Sequence, residues 1–137
     1  CDMAIKAIII DDERLARNEL KKLLQNHADI EVIEEATNAD DGIEKIETLN
    51  PDLIFLDIQM PGKTGFDLLA EIKADPEISM IPVFIFTNLS GADSRRRGQE
   101  LGADFYLIKS ELNLDEFVAK FKKIIDNREK TNENFKK

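Results

Sequence analysis

Leu53-Ile54-Phe55-Leu56-Asp57-Ile58-Gln59-Met60-Pro61-Gly62-Lys63-Thr64-Gly65-Phe66-Asp67 holds a strand, a turn and a helix start in one stretch. The unbroken apolar run from Leu53 to Asp57, entered after Pro51, reads as a strand covered on both faces, as parallel strands are. Met60-Pro61-Gly62-Lys63 breaks the pattern and makes a loop. Thr64, three residues ahead of Asp67, has the spacing of a capping pair, and it opens a helix whose Phe66, Leu69 and Ile72 face inward. The strand closes on an acid, Asp57, and ligands of parallel sheets gather at such carboxyl ends.

The same unit recurs on both sides of this stretch. Ile5 to Ile10 is a strand closing on Asp11 and Asp12, and Ala16, Leu20, Leu23 and Leu24 follow at helical spacing. Glu31 to Ala36 is a second strand, after which Asn38 with Asp41 starts a helix carrying Ile43, Ile46 and Leu49. Pro82 opens a fourth strand, Val83 to Thr87, at a position where a missing donor is tolerated. Ser90 and Asp93 are expected to cap the fourth helix, and Gly102 to stop it. Asp104 to Lys109 is the fifth strand. Leu114, Phe117, Val118, Phe121, Ile124 and Ile125 then make a fifth amphipathic helix whose stripe is core.

Strands alternating with helices predict an α/β fold, a flavodoxin-like doubly wound (βα)5 arrangement with a five-stranded parallel sheet of order 2-1-3-4-5. In that order the first and third strands are neighbours where the winding reverses, so Asp11, Asp12 and Asp57 meet there. Thr87 and Lys109 end the neighbouring strands and converge on the same edge. The expected layout is residues 1–3 as a remnant and start, since Cys1-Asp2 precede Met3, 4–127 as one domain, and 128–137 as a polar tail or the start of a linker.

Composition narrows the function classes. The 137 residues suffice for a buried core without disulfides or a structural metal. A net charge of −9 argues against direct nucleic-acid binding, which rests on clustered Lys and Arg. Cys1 is the only cysteine, which excludes an internal disulfide and a thiolate zinc site and favours a reducing, cytoplasmic setting. No apolar run approaches the roughly 20 residues of a membrane span, so no membrane insertion is expected.

Carboxylates crowded together raise one another's pKa unless a cation joins them, and an all-oxygen set without Cys or His favours Mg2+. Octahedral Mg2+ pairs readily with a phosphoryl oxygen. Lys109 adds positive charge and Thr87 a hydroxyl donor, while Asp57, held at the end of the most apolar strand, is the candidate nucleophile for an aspartyl phosphate. The Asp11-Asp12 pair, expected where the chain turns out to solvent, suits the metal.

These motifs, Ile10-Asp11-Asp12-Glu13, Phe55-Leu56-Asp57 through Gly65, Phe86-Thr87-Asn88, and Gly102-Ala103-Asp104-Phe105-Tyr106-Leu107-Ile108-Lys109, resemble in order and separation the receiver domain of two-component response regulators, the family of the chemotaxis regulator CheY. The resemblance covers residues 5 to 126. It implies that Asp57 accepts a phosphoryl group from the phosphohistidine of a sensor histidine kinase or a phosphotransfer protein of a phosphorelay, in an Mg2+-dependent reaction. Asp12, the Asp57 carboxylate and the Gln59 backbone carbonyl bind the metal directly, and Asp11 does so through a water. Lys109 pairs with the phosphoryl group, Thr87 swings toward it, and Tyr106 rotates inward, reshaping the face of helix four, strand five and helix five. That face serves a downstream protein, an attached output domain or a homodimer partner.

Beyond its own phosphotransfer and slow self-dephosphorylation no enzymatic activity is expected. Gln59, Asn88 and Leu89 are the rate-modulating positions, and Leu89 has no polar atom with which to orient a water. Ser110 stands where the family usually has proline after the lysine. A cis bond to a non-proline residue costs about 2.5–4 kcal/mol, so this bond is expected to be trans. Two other readings stand beside this one: a pseudo-receiver interaction domain that is not phosphorylated, and an aspartate-nucleophile phosphatase of the haloacid-dehalogenase type. The latter lacks the second acid of Asp-x-Asp, since Gln59 stands there. Arg95, Arg96 and Arg97 are either a solvated helix face or a partner contact. Tyr106 is either the switch or a strand residue with its hydroxyl in water, and His27 is expected to be exposed and inert.

Overall fold

The computed structural model describes residues 5–25, 27, 30–60, 62–89, 91–111, 119 and 123. The elements run β1 (Ile5–Ile10), α1 (Arg14–Leu24), β2 (Ile30–Ala36), α2 (Ala39–Leu49), β3 (Leu53–Leu56), α3 (Gly65–Ala74), β4 (Val83–Thr87), α4 (Ala92–Glu100) and β5 (Phe105–Ile108), then a 3-10 turn at Lys109–Glu111. Every strand pair is parallel and the order is β2-β1-β3-β4-β5, the flavodoxin-like order that the sequence predicts. The apolar positions of the predicted fifth helix, residues 1–3 and the 128–137 segment lie outside the described residues; within that helix Ala119 and Lys123 are described, both helical and exposed.

Alternation along β1 explains why helices cover both faces. Ala7 and Ile9 join Leu20 and Leu24 of α1 with Phe55 and Phe84 in one core. Ile8 and Ile10 join Ile46 of α2 and Leu68, Leu69 and Ile72 of α3 in the other. β3 and β4 are buried at every position, which is why they read as unbroken apolar runs rather than alternating ones. No described helix is long and apolar enough to cross a membrane.

Two of the three expected helix caps form. The Asn38 side chain accepts the Asp41 N–H at 2.8 Å, and Thr64 with Asp67 makes a reciprocal capping box at the start of α3. The α4 start differs: Gly91 is the N-cap and makes no side-chain bond, Ser90 lies outside the described residues, and the exposed Asp93 lies 3.9 Å from Arg96. Of the apolar positions of α2, Ile46 is buried while Leu49 is 42% exposed, at the last helical position before Asn50 reverses the chain at φ 46°. His27 is half-buried instead of exposed, because its N–H donates to the Leu24 carbonyl and its own carbonyl accepts from Ile30, folding it into the α1–β2 connection.

A register slip shapes the β1–β2 edge. Ala7 faces Val32 but Ile8 faces Glu34, leaving Ile33 as the extra residue of a bulge. One inserted residue sends the following side chains to the other face, so Glu35 pairs with Ile9 on the α1 side. There its carboxylate meets Arg17 Nε at 3.0 Å and Lys21 Nζ at 2.8 Å. Burial opposes its ionisation, but the bonds from Lys21 and Arg17 outweigh that and hold its pKa below the usual value.

The start of α3 comes close to the loop after β3 at Gly65, whose N–H donates to the Ile58 carbonyl at 3.0 Å. A Cβ there would lie 2.6 Å from Ile58 Cα and nearer still to the Asp57 carbonyl oxygen, and backbone cannot give way as a flexible side chain does. Gly65→Ala is therefore expected to destabilise the chain by about 2 kcal/mol in urea unfolding, the usual scale of overpacking. An unchanged midpoint would show that α3 can shift freely against the loop after β3.

Candidate functional site

β1 and β3 leave the sheet side by side, each on an acid. The Asp57 N–H donates to the Ile10 carbonyl at 2.9 Å and the Asp11 N–H to the Ala36 carbonyl at 3.0 Å, so both carboxylates spring from the last rungs of the ladder. Asp11 is 1% exposed, Asp57 2% and Thr87 0%. The sequence predicts that Asp11 and Asp12 both sit where the chain turns out to solvent. Only Asp12 is exposed, because the main chain of Asp11 is still bonded to β2 and the turn begins after it.

The two buried carboxylates are held in the same way. Asp11 Oδ1 accepts the Glu13 N–H at 2.9 Å and Asp57 Oδ1 accepts the Gln59 N–H at 3.3 Å, each bond reaching two residues on. Such side-chain bonds fix the turn that carries them. The remaining oxygens face one ammonium: Lys109 Nζ lies 2.8 Å from Asp11 Oδ2 and 3.4 Å from Asp57 Oδ2. Asp11 Oδ2 is buried, and its contact with Lys109 is a close ion pair off the ideal hydrogen-bond alignment. Lys109 also meets Glu13 Oε1 at 3.3 Å and passes 5.6 Å from the centre of the Phe86 ring.

Burial sets the titration behaviour of the site. Asp11 has its pKa raised by burial first and by the neighbouring Asp57 charge, against opposing pulls from Lys109 and the Glu13 N–H. For Lys109 burial acts in the other direction, yet Asp11, Asp57 and Glu13 outweigh it and its pKa is raised, so it stays charged at neutral pH. Among the described residues, carboxylate oxygens of Asp11, Asp12, Glu13 and Asp57 lie within 4.8 Å of one another. An all-oxygen donor set at this spacing, with one buried oxygen lacking an aligned donor, fits a small hard divalent cation. Glu13 is the member that sequence reasoning missed. Its only signal was its place directly after the acid pair.

Thr87 and Lys109 arrive from the other strands of the same edge. Leu56 pairs with Ile85, and Thr87 with Ile108, so Asp57, Thr87 and Lys109 leave three adjacent strands together. The Thr87 Oγ1 accepts the Leu89 N–H at 3.4 Å, and the Tyr106 hydroxyl donates to the Leu89 carbonyl at 2.6 Å. Tyr106 is therefore half-buried and bonded through its hydroxyl, and the Arg95 guanidinium sits 5.4 Å from its ring centre. Gln59 and Asn88 are exposed, and the half-buried Leu89 packs against the core. Arg95, Arg96 and Arg97 are all exposed, with the Arg97 guanidinium lying over the Phe66 ring at 4.7 Å. No peptide bond among the described residues is cis, and the Lys109–Ser110 bond is trans as expected.

Comparison with known proteins agrees with this geometry. The family described as the response regulator receiver domain matches residues 7–122. The transcriptional regulatory protein BtsR of Escherichia coli is 37% identical over 120 residues, which cover 86% of this chain and 48% of that protein. The chain spans no more than about half the length of the curated relatives it matches. Among solved structures, a DNA-binding response regulator of the LuxR family from Staphylococcus aureus superposes with a TM-score of 0.77 at 31% identity, covering 88% of this chain and 98% of that one. The manganese-bound form of another response regulator superposes with a TM-score of 0.67 at 25% identity, covering 81% and 84%.

Because the pKa of Asp11 is raised on folding, the ionised carboxylate costs stability at neutral pH. Asp11→Asn is expected to raise the thermal midpoint at pH 7 in EDTA by roughly 3 °C, the shift that about 1 kcal/mol produces at this size. The gain should shrink as pH falls through the folded pKa of Asp11, where the parent carboxyl also becomes neutral. A lower midpoint for the variant at pH 7 would show that the Lys109 pairing outweighs burial.

Proposed function

Because the chain belongs to the response regulator receiver domain family of two-component systems, we propose that it is a phosphorylation-activated receiver whose Asp57 takes a phosphoryl group from a histidine kinase or a phosphotransfer protein. The observation that carries this reading is the meeting of Asp57 Oδ2 and Asp11 Oδ2 on Lys109 Nζ, with Thr87 buried at the next strand end. In the transfer, an Asp57 carboxylate oxygen attacks phosphorus. The O–P bond forms, the P–N bond to the donor imidazole breaks, and its electron pair leaves with the nitrogen. The Gln59 N–H holds Oδ1, leaving Oδ2 as the nucleophilic oxygen on the Lys109 side. The Lys109 ammonium then pairs with a phosphoryl oxygen, and the Thr87 hydroxyl donates to another.

Asp12, the Asp57 carboxylate and the Gln59 backbone carbonyl would hold Mg2+ directly, and Asp11 through a water. Bound there, the ion neutralises phosphoryl and carboxylate charge. The all-oxygen cluster supports this, as does the manganese-bound relative. Leu89 supports the switch: Thr87 holds its N–H and Tyr106 its carbonyl, so a Thr87 hydroxyl drawn to a phosphoryl group releases one side of the loop that anchors Tyr106. The face of α4, β5 and the fifth helix then changes shape toward a downstream protein, an attached output domain or a second copy. Catalysis is confined to self-phosphotransfer and slow self-dephosphorylation.

Intact mass after incubation with phosphoramidate and Mg2+ tests the reading. One added phosphate is expected in the parent and none with EDTA or in Asp57→Asn. No adduct on folded, Mg2+-binding protein would move the assignment to a pseudo-receiver.

The half-life of the adduct tests the rate reading. It should lengthen little in Leu89→Ala and shorten in Leu89→Gln, whose amide can orient a water. Loss of the parent adduct within a minute or so would overturn slow dephosphorylation, which is otherwise fast only where a water is held for attack.

A further inference from the structure

The turn between β1 and α1 carries Asp11, Asp12 and Glu13, and its fastening is asymmetric. On one side the Asp11 N–H is bonded to β2 and Oδ1 to the Glu13 N–H. On the other, the Asp11 carbonyl accepts from Arg17 Nη1 at 2.7 Å, while Arg17 Nε donates to Glu35 Oε1 at 3.0 Å. The Arg17 N–H makes the first helical bond, to the Glu13 carbonyl at 3.1 Å, so its side chain leaves the first turn of α1 beside the acids. With these bonds made, Oδ2 is the one oxygen of Asp11 left for the site. Arg17 is largely buried, its side chain 13% exposed, and Glu35 reaches it only because the bulge at Ile33 turns that carboxylate to the α1 face.

We propose that Arg17, braced by Glu35, is a positioning residue that holds the Asp11-Asp12 turn in metal-binding register. A planar fork bonded at two points fixes direction in a way that a single ammonium does not. Lys21, which bonds the other Glu35 oxygen, reaches no atom of the turn that an observed bond would fix, and so serves as the control. The proposal rests on reading the acid cluster as the metal site of a receiver.

Electrostatics and positioning predict opposite signs. Removing a cation next to an acidic cluster strengthens cation binding if charge is all that matters; removing a brace weakens it. Isothermal titration of the full chain with Mg2+ should therefore show Arg17→Met binding roughly tenfold more weakly, the scale seen when groups that orient metal ligands are lost. Arg17→Lys should recover the charge but only part of the affinity, Glu35→Gln should weaken binding in the same direction, and Lys21→Met should bind as the parent does or tighter. In phosphoramidate labelling, Arg17→Met should need more Mg2+ for its half-maximal rate while the rate at saturating Mg2+ changes little. Binding by Arg17→Met equal to or tighter than the parent overturns the proposal, as does a labelling loss that excess Mg2+ fails to restore. A parent chain that binds no Mg2+ overturns the site reading instead, and the proposal with it. If Arg17→Met fails to fold, Arg17→Lys carries the comparison, because it keeps the charge and loses the fork: affinity equal to the parent's overturns the proposal, whereas Glu35→Gln removes an anion and would weaken cation binding by charge alone.

Discussion

The contact of the Lys109 ammonium with the Asp11 and Asp57 carboxylates sets the terms for the rest of the molecule. Two acids buried side by side repel by several kcal/mol at the effective dielectric of a protein, about 4 kcal/mol for unit charges at 4 Å. Such a pair survives only where the main chain cannot move apart. The fold meets that requirement by mounting both acids on adjacent central strands, each tied by its own N–H to the neighbouring strand. Apolar cores press on both faces of those strands. The third group comes from β5, far along the chain, so the site closes only when the whole sheet has formed. Raised pKa values at both Asp11 and Lys109 are what this crowding leaves behind.

Rigidity at the acids contrasts with the single-point attachments beyond β4. Thr87 and Tyr106 do not touch each other through any observed bond. They share Leu89, one holding its N–H and the other its carbonyl. α4 is seated close behind: a Cβ on Gly98 would lie 2.9 Å from Ile85 and 3.2 Å from the Tyr106 ring, so there is little room for the ring to turn unless the helix or loop yields. A loop held by one weak and one strong hydrogen bond, against a closely packed helix, is the kind of element in which a small change of bonding selects between two packings.

Much of this was legible in the chain itself, for reasons specific to each element. β1, β3 and β4 read correctly because parallel strands covered on both faces leave no polar alternation to confuse them, and each ends where a charged or hydroxyl side chain leaves the ladder. Asn38 and Thr64 read correctly because their capping partners stand three residues on. The α4 start did not, because a glycine cap has no side chain to announce itself. The burial of Asp11 was hidden for a different reason: adjacent acids look alike in sequence, and only the Ala36 carbonyl, supplied by another strand, separates them. Arg17 and Glu35 gave no signal either. Their meeting depends on a one-residue bulge in β2, and a bulge inside an otherwise regular strand changes which face a carboxylate occupies without changing the pattern of residues.

The charge balance of the site bears on how it works. Among the described residues, Asp11, Asp12, Glu13 and Asp57 gather four carboxylates around the Lys109 ammonium, within a chain of net charge −9. Under the proposed function a phosphoryl group brings further negative charge into this cluster, and the Thr87 hydroxyl and Lys109 alone cannot offset it. A divalent cation then has to be in place before the phosphoryl group approaches, and its affinity is governed by how well the acids are aimed. Their number matters less, since excess carboxylates repel one another whether or not they converge. Directional control of that kind comes from donors outside the cluster: the Glu13 and Gln59 N–H groups for the carboxylates, and the Arg17 fork for the turn that carries two of them.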